Sequence, residues 1–187
     1  MSKLVLPILL DRKEIQRLLN QPSLNCITGI RNRAILRLML NAGLRVSEVS
    51  NLKKTEIDLN FKRIRVTQGK GAKDREIGFP AICLPDLERW ERYRGENFYY
   101  FKTHYETKVS VRYIEEMVAR MAKKAGIKKR VYPHLLRHIF ATEFYRKFKN
   151  IEALRKFLGH EDIRTTQIYL KLAGVEVDEL MEQFVGF

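Results

Sequence analysis

Three of the chain's four histidines, together with Arg137 and Tyr169, fall inside one stretch, residues 133–169, which reads PHLLRHIFATEFYRKFKNIEALRKFLGHEDIRTTQIY. Pro133 suits the first position of a helix, so His134, Arg137 and His138 follow at i, i+3 and i+4 on one face. That face can converge on a single anion. Gly159 stops a following helix whose apolar positions are Leu154, Phe157 and Leu158, and Asp162 suits the cap of the next one. This puts His160 at a helix junction and Tyr169 late in the helix after it. Two imidazoles, a guanidinium and a phenol near one point supply what metal-free attack on a phosphodiester needs.

The elements that must position these groups belong to a chain of 187 residues, long enough for one well-buried core and undivided by any Pro-, Gly- or Ser-rich linker. One domain is expected. The 36 Lys and Arg against 22 Asp and Glu give a net charge of +14, and the pI of about 9.9 points to a polyanion, nucleic acid first. Cys26 and Cys83 lack metal or redox spacing, so two reduced core thiols are expected. The apolar run near the N-terminus, residues 4–10, is too short for a membrane span, contains Pro7 and has no cleavage-like site. A soluble, cytoplasmic, nucleoid-associated protein with no membrane partner is expected.

Asp11 and Glu14 form a capping box ahead of a first helix with Ile15, Leu18 and Leu19. Ala34, Ile35, Leu38, Met39 and Ala42 mark a core helix over residues 30–42, ended by Gly43, so Arg45 emerges just past a helix terminus. In the short helix that follows, with Val46, Val49 and Leu52, Glu48 lies three residues from Arg45, as the partner a buried arginine needs. Residues 63–67 and 75–79 alternate as a hairpin, with Ile64, Val66, Ile77 and Phe79 inward. Its tip, QGKGAKD, carries Lys70 between two glycines and Lys73 soon after, making a basic finger able to approach another backbone closely. Pro85 and Asp86 open a helix with Leu87, Trp90 and Tyr93 inward, and the aromatic run GENFYYFKTHYETK reads as core edge. Ser110 caps a long helix through Val111, Ile114, Val118, Met121 and Ala125, ended by Gly126. Its basic exit, KKAGIKKR, brings Lys128, Lys129 and Arg130 beside the anion site. The tail, residues 176–187, spaces Val177, Leu180, Met181, Phe184 and Val185 as an apolar helix face. The fold class is α+β, mostly helical, with a small antiparallel β-hairpin or sheet.

Four ordered segments, AGLRVSEVSNL, GKGAKDREI, PHLLRHIFAT and LGHEDIRTTQIY, resemble the successive signatures of the tyrosine recombinase (phage integrase, Xer-type) catalytic domain. The likeness runs from LLDRKEIQRLL to the tyrosine helix, so residues 1–187 read as that catalytic domain without the N-terminal core-binding domain most members carry. Residue by residue, the resemblance implies a catalytic set of Arg45, Lys70, His134, Arg137, His160 and Tyr169, with Tyr169 as nucleophile. Spacing alone does not select it among eight tyrosines. It further implies a site-specific recombinase or integrase working through a 3′-phosphotyrosyl intermediate, without metal, ATP or other cofactor.

Arg45 and Arg137 are expected to hold the non-bridging oxygens. His134 is expected to accept the phenol's proton and His160 to donate to a phosphate oxygen, or the reverse, and the resemblance implies that Lys70 protonates the leaving 5′ oxygen. Glu48 orients Arg45, and His138 supports the site without reacting. Lys73, Arg75, Lys128, Lys129 and Arg130 are the expected DNA contacts. The partners are double-stranded DNA and, through an exchange helix over residues 174–187, other protomers of a tetramer. A zinc pair at His134 and His138 is disfavoured by the intervening Arg137 and by the lack of a Glu after His134. The alternative functions are a relaxing enzyme of the type IB topoisomerase sort and a DNA-binding regulator derived from a recombinase.

Overall fold

A computed structural model describes residues 7–67, 74–159 and Tyr169. Helix α1 (Arg12–Leu19) begins at a reciprocal cap: the Glu14 amide donates to Asp11 Oδ1 and the Asp11 amide to Glu14 Oε2, each at 2.8 Å. Leu18 and Leu19 then enter the core. Helix α2 (Ile27–Ala42) is the central strut, buried on most of its circumference, and the expected apolar set Ala34, Ile35, Leu38, Met39 and Ala42 is buried. Gly43 ends it at φ 59°, and a Cβ there would stand 2.3 Å from Cδ1 of Phe140. A ring from a later helix is seated on the space that glycine leaves.

The turn at Gly43 feeds α3 (Val46–Asn51). Three short antiparallel strands follow in the order β1 (Ile57–Asp58), β2 (Arg63–Val66), β3 (Arg75–Gly78), with Ile64 opposite Ile77 and Val66 opposite Arg75. The hairpin expected from the alternation is β2–β3; β1, at two residues, is too short to announce itself by alternation.

Helix α4 (Leu84–Arg94) buries Leu87 and Trp90 as expected, but Tyr93 lies outward, 53% exposed. Arg94 continues the inward stripe because its guanidinium finds carbonyls to bind: Nε donates to Tyr100 and Nη2 to Asn97. The aromatic run beyond it divides. Tyr100 and Phe101 are core, while Phe98 and Tyr105 are exposed. Of the two thiols, Cys83 is buried and held protonated by that burial, its pKa pushed up to about 12, whereas Cys26 is exposed, contrary to expectation. It stands at the N-cap of α2, outside the apolar face.

Helix α5 (Val111–Lys124) starts at Ser110, whose side chain accepts from the Tyr113 amide. Helix α6 (Pro133–Phe148) has apolar residues on almost every side, since it serves two cores. Leu135, Leu136 and Ile139 join the main one; Phe140, Ala141 and Tyr145 join a second with Leu154, Leu158 and Tyr169. Helix α7 (Ile151–Leu158) is capped by Asn150 and closes at Gly159, φ 66°. No helix among the described residues is long and apolar enough to cross a membrane. Lys70, Lys73, His160, the Asp162 cap and the tail at 174–187 lie outside the described residues.

Candidate active site

The site forms where four chain segments end or begin: the exit of α2, the first turn of α6, the last turn of α7 and the start of β3. The C-terminus of α7 presents three successive carbonyls, and each takes one guanidinium. Arg75 Nε donates to Phe157 at 3.0 Å, Arg137 Nη2 to Leu158 at 2.7 Å and Arg45 Nη2 to Gly159 at 3.3 Å. Unsatisfied carbonyls at the negative end of a helix are natural partners for cations. Arg137 Nη1 also reaches the Gly43 carbonyl, at 2.6 Å, so it binds the ends of α2 and α7 together.

One carboxylate faces all three guanidiniums. Glu48 Oε1 accepts from Arg45 Nη1 at 3.0 Å and from Arg75 Nη1 at 2.9 Å. Its Oε2 accepts from the Arg45 amide at 2.7 Å and Arg75 Nη2 at 3.0 Å, and lies 4.0 Å from Arg137 Nη1. Burial works to raise the Glu48 pKa, but the Arg75 hydrogen bonds and charge outweigh it, so it stays below the ordinary carboxylate value. Burial, then repulsion from Arg45, bring Arg137 down to about 10 against the pull of Glu48. It remains cationic at neutral pH.

His134, Arg137 and His138 share one face of α6, as the spacing requires. The His134 and His138 rings meet edge to face with centroids 4.3 Å apart, and the His138 centroid is 5.5 Å from that of Tyr169. Burial, Arg137 and Arg45 all lower the His134 pKa, so its imidazole is neutral at pH 7. His138 is buried more deeply, and burial with its cationic-capable neighbours His134 and Arg137 carries it to about 4. Tyr169 is 1% exposed. Burial raises its pKa, opposed by the charges of Arg137 and Arg45 and by a hydrogen bond from Arg137.

Of the residues expected to react, Arg45, His134, Arg137 and Tyr169 are therefore gathered in one place, with Glu48 and His138 among them. The expected DNA contacts divide. Lys128 and Arg130 are exposed, Arg130 over the Tyr132 ring. Lys129 instead donates to the Leu9 carbonyl and Glu14, tying α1 to the loop before α6. Arg75 is half-buried, its guanidinium turned onto Glu48 rather than presented at the surface. Its position was readable from the alternation: residues 75, 77 and 79 share parity, so Arg75 belongs to the face of Ile77 and Phe79. A pocket of about 240 Å³ shares Arg45 and Glu48 with the site and is otherwise lined by Ser47, Asn51, Arg65 and Thr67 among others.

A model of the phage integrase family matches residues 9–174. The chain belongs to the phage integrase family. Among curated members, tyrosine recombinase XerA of Thermococcus kodakarensis is 37% identical over 191 residues, which cover 97% of this chain and 66% of that protein. Tyrosine recombinase XerC of Vibrio parahaemolyticus is 34% identical over 176 residues, 91% of this chain and 56% of XerC. The chain thus spans two thirds or less of the relatives it matches. A crystal structure of XerA recombinase superimposes with a TM-score of 0.82 at 33% identity, covering 98% of this chain and 64% of that one. A XerH site-specific recombinase, in a post-cleavage complex with a palindromic difH substrate, gives 0.79 at 25% identity over 96% of this chain and 53% of XerH. The expected fold, mostly helical with a small antiparallel sheet, is that of these phage integrase family structures.

Proposed function

We propose that this chain is the catalytic part of a site-specific DNA recombinase, which cuts and rejoins strands through a phosphotyrosyl link. The carrying observation is the convergence of Arg45 and Arg137 at the end of α7 with the Tyr169 phenol hydrogen-bonded behind them. Two guanidiniums placed at one helix terminus concentrate positive charge where the non-bridging oxygens of one phosphate would lie, and charge-assisted hydrogen bonds to them strengthen as charge develops on the phosphorane.

Tyr169 Oη attacks phosphorus as the bond to the 5′ oxygen breaks. The phenolic proton passes to a base, for which the neutral His134 imidazole is suited, and the departing oxygen takes a proton from Lys70. His160 donates to a phosphate oxygen, and the two histidines are interchangeable in these roles. The products are a 3′-phosphotyrosyl ester and a free 5′-hydroxyl. One ester replaces another, so the step is reversible and requires no ATP. Attack by a second 5′-hydroxyl rejoins the strand.

The partner is double-stranded DNA, and Lys73, Lys128 and Arg130 supply phosphate contacts. On DNA the chain assembles as a tetramer through residues 174–187, and the helical spacing of apolar residues in that part of the sequence supports the reading. Its place of work is the nucleoid in the cytoplasm. The test is incubation with a nicked duplex of candidate site sequence in EDTA, followed by a denaturing gel. A covalent adduct that disappears in Tyr169→Phe is expected; an adduct that persists in that variant overturns the nucleophile. Sequence-independent relaxation of supercoils by a monomer would instead favour the topoisomerase-like alternative.

A further inference from the structure

We infer that Arg75 is a positioning residue of this active site: it fixes the plane of the Glu48 carboxylate, and through it the Arg45 guanidinium, in the orientation that receives phosphate. The inference rests on the recombinase reading above and adds to it a residue at the start of β3.

A guanidinium on the inward face of a strand is costly to desolvate, and is kept there only if every direction of its fork is used. Here Nη1 and Nη2 bind the two oxygens of Glu48 at 2.9 and 3.0 Å, and Nε binds the Phe157 carbonyl at 3.0 Å. The seat is built to fit. At Gly159 a Cβ would lie 3.0 Å from Cδ of Arg75 and 3.1 Å from Nε and Nη1, so the helix stop that exposes the α7 carbonyls is also the surface against which Arg75 lies flat.

The consequence concerns Arg45. Its side chain is 36% exposed, long and otherwise free to sweep through rotamers, and its described restraints are Glu48 and the Gly159 carbonyl. Glu48 orients Arg45 only while something orients Glu48. A bidentate fork sets both the position and the plane of a carboxylate, which a point charge cannot do. Without that fork the carboxylate keeps the Arg45 amide as an anchor for one oxygen, but its plane is free to turn and no longer directs the Arg45 guanidinium. Direct contact between Arg75 and DNA is the competing role, and its 10% exposure and three engaged nitrogens speak against it.

The test compares Arg75→Gln, Arg45→Ala and the double variant in single-turnover adduct formation at saturating nicked duplex, with DNA affinity measured in parallel. For Arg75→Gln the expected result is a cleavage rate lower by about 10- to 100-fold, with the dissociation constant within about threefold of wild type. The double variant should be no slower than Arg45→Ala, because a residue that acts through Arg45 has nothing left to position. Losses that multiply in the double variant, or weakened binding with an unchanged rate at saturation, overturn the proposal. Arg75→Lys guards against misfolding: it keeps the charge, and is expected to remain folded at the assay temperature yet cleave slowly. Cleavage by Arg75→Lys at the wild-type rate also overturns the proposal. A wild-type chain that forms no adduct is a different failure, and removes the recombinase reading itself.

Discussion

Nη2 of Arg137 donates to the Leu158 carbonyl oxygen at 2.7 Å. With Nη1 on the Gly43 carbonyl, the same guanidinium closes the ends of two helices that are 115 residues apart in sequence, 158 less 43. A residue expected to bind phosphate is thus also a structural rivet. Arg137→Met should leave both buried carbonyls without these donors and lower stability by about 2–5 kcal/mol. An unchanged urea midpoint would show that the carbonyls find other partners and that Arg137 is held for chemistry alone.

Glu48 carries the opposite lesson. Its Gln variant is nearly isosteric, yet it leaves the half-buried guanidinium of Arg75 and the buried one of Arg137 without a compensating charge, at a cost of about 3 kcal/mol. The front of the site becomes more positive by one unit. Glu48→Gln should therefore bind duplex DNA as well as or better than wild type in fluorescence anisotropy at fixed salt, while forming adduct more slowly. Weaker binding would mean that the carboxylate organises the DNA surface as a whole.

The basic surface itself makes a prediction about salt. Each phosphate neutralised releases counterions, so the logarithm of the association constant should fall against the logarithm of salt concentration with a slope of about −0.9 per contact. Lys128→Ala and Arg130→Ala should each flatten that slope by about one unit, whereas Lys129→Ala, whose ammonium is engaged by Leu9 and Glu14, should leave the slope unchanged and lower stability. Equal effects of all three on the slope would place Lys129 at the DNA after all.

How far this arrangement could be read in advance depends on whether a feature is local. The capping box at Asp11, the stop at Gly43, the pairing of Glu48 with Arg45 and the shared face of His134, Arg137 and His138 are all set within one helical turn, and each is visible as a spacing. Arg75 was legible only in part. Strand parity places it inward, but its position after Lys73 in a basic hairpin suggested the opposite, and nothing in the spacing links it to Glu48 across 27 residues. The convergence on α7 is long-range in the same way: Phe157, Leu158 and Gly159 contribute backbone carbonyls, which carry no sequence signature. Tyr93 and Arg94 show the converse error, in which hydrophobicity picked the aromatic and hydrogen-bonding capacity decided for the arginine.

Gly159 and Gly126 offer a matched pair. Both have positive φ, 66° and 65°, so alanine strains the backbone at each by about 1 kcal/mol. Nothing lies within 4 Å of a Cβ at Gly126, whereas at Gly159 the Arg75 guanidinium must shift by a few tenths of an ångström. Gly159→Ala should therefore cost more than Gly126→Ala in urea unfolding and should slow adduct formation, which Gly126→Ala should not. Equal costs and equal rates would mean that Arg75 yields freely.

The stability of the fold should also report on His138. Burial, with His134 and Arg137 facing it and the Tyr169 ring 5.5 Å away, brings its pKa to about 4, below the ordinary imidazole value of 6.5. A histidine with a depressed folded pKa refuses a proton that the unfolded chain accepts. No penalty exists above pH 6.5; as pH falls from 6.5 towards 4 the unfolded state gains protons and the fold loses stability. For a single group the loss between pH 7 and pH 5 is about 2 kcal/mol. His134, shifted the same way, adds to it, while Glu48, whose pKa is also lowered, contributes only below the ordinary carboxylate range. His138→Asn should have a visibly flatter dependence of unfolding free energy on pH across 7 to 5, whatever its absolute stability. The same slope in variant and wild type would mean that His138 is protonated in the folded chain as readily as in the unfolded one.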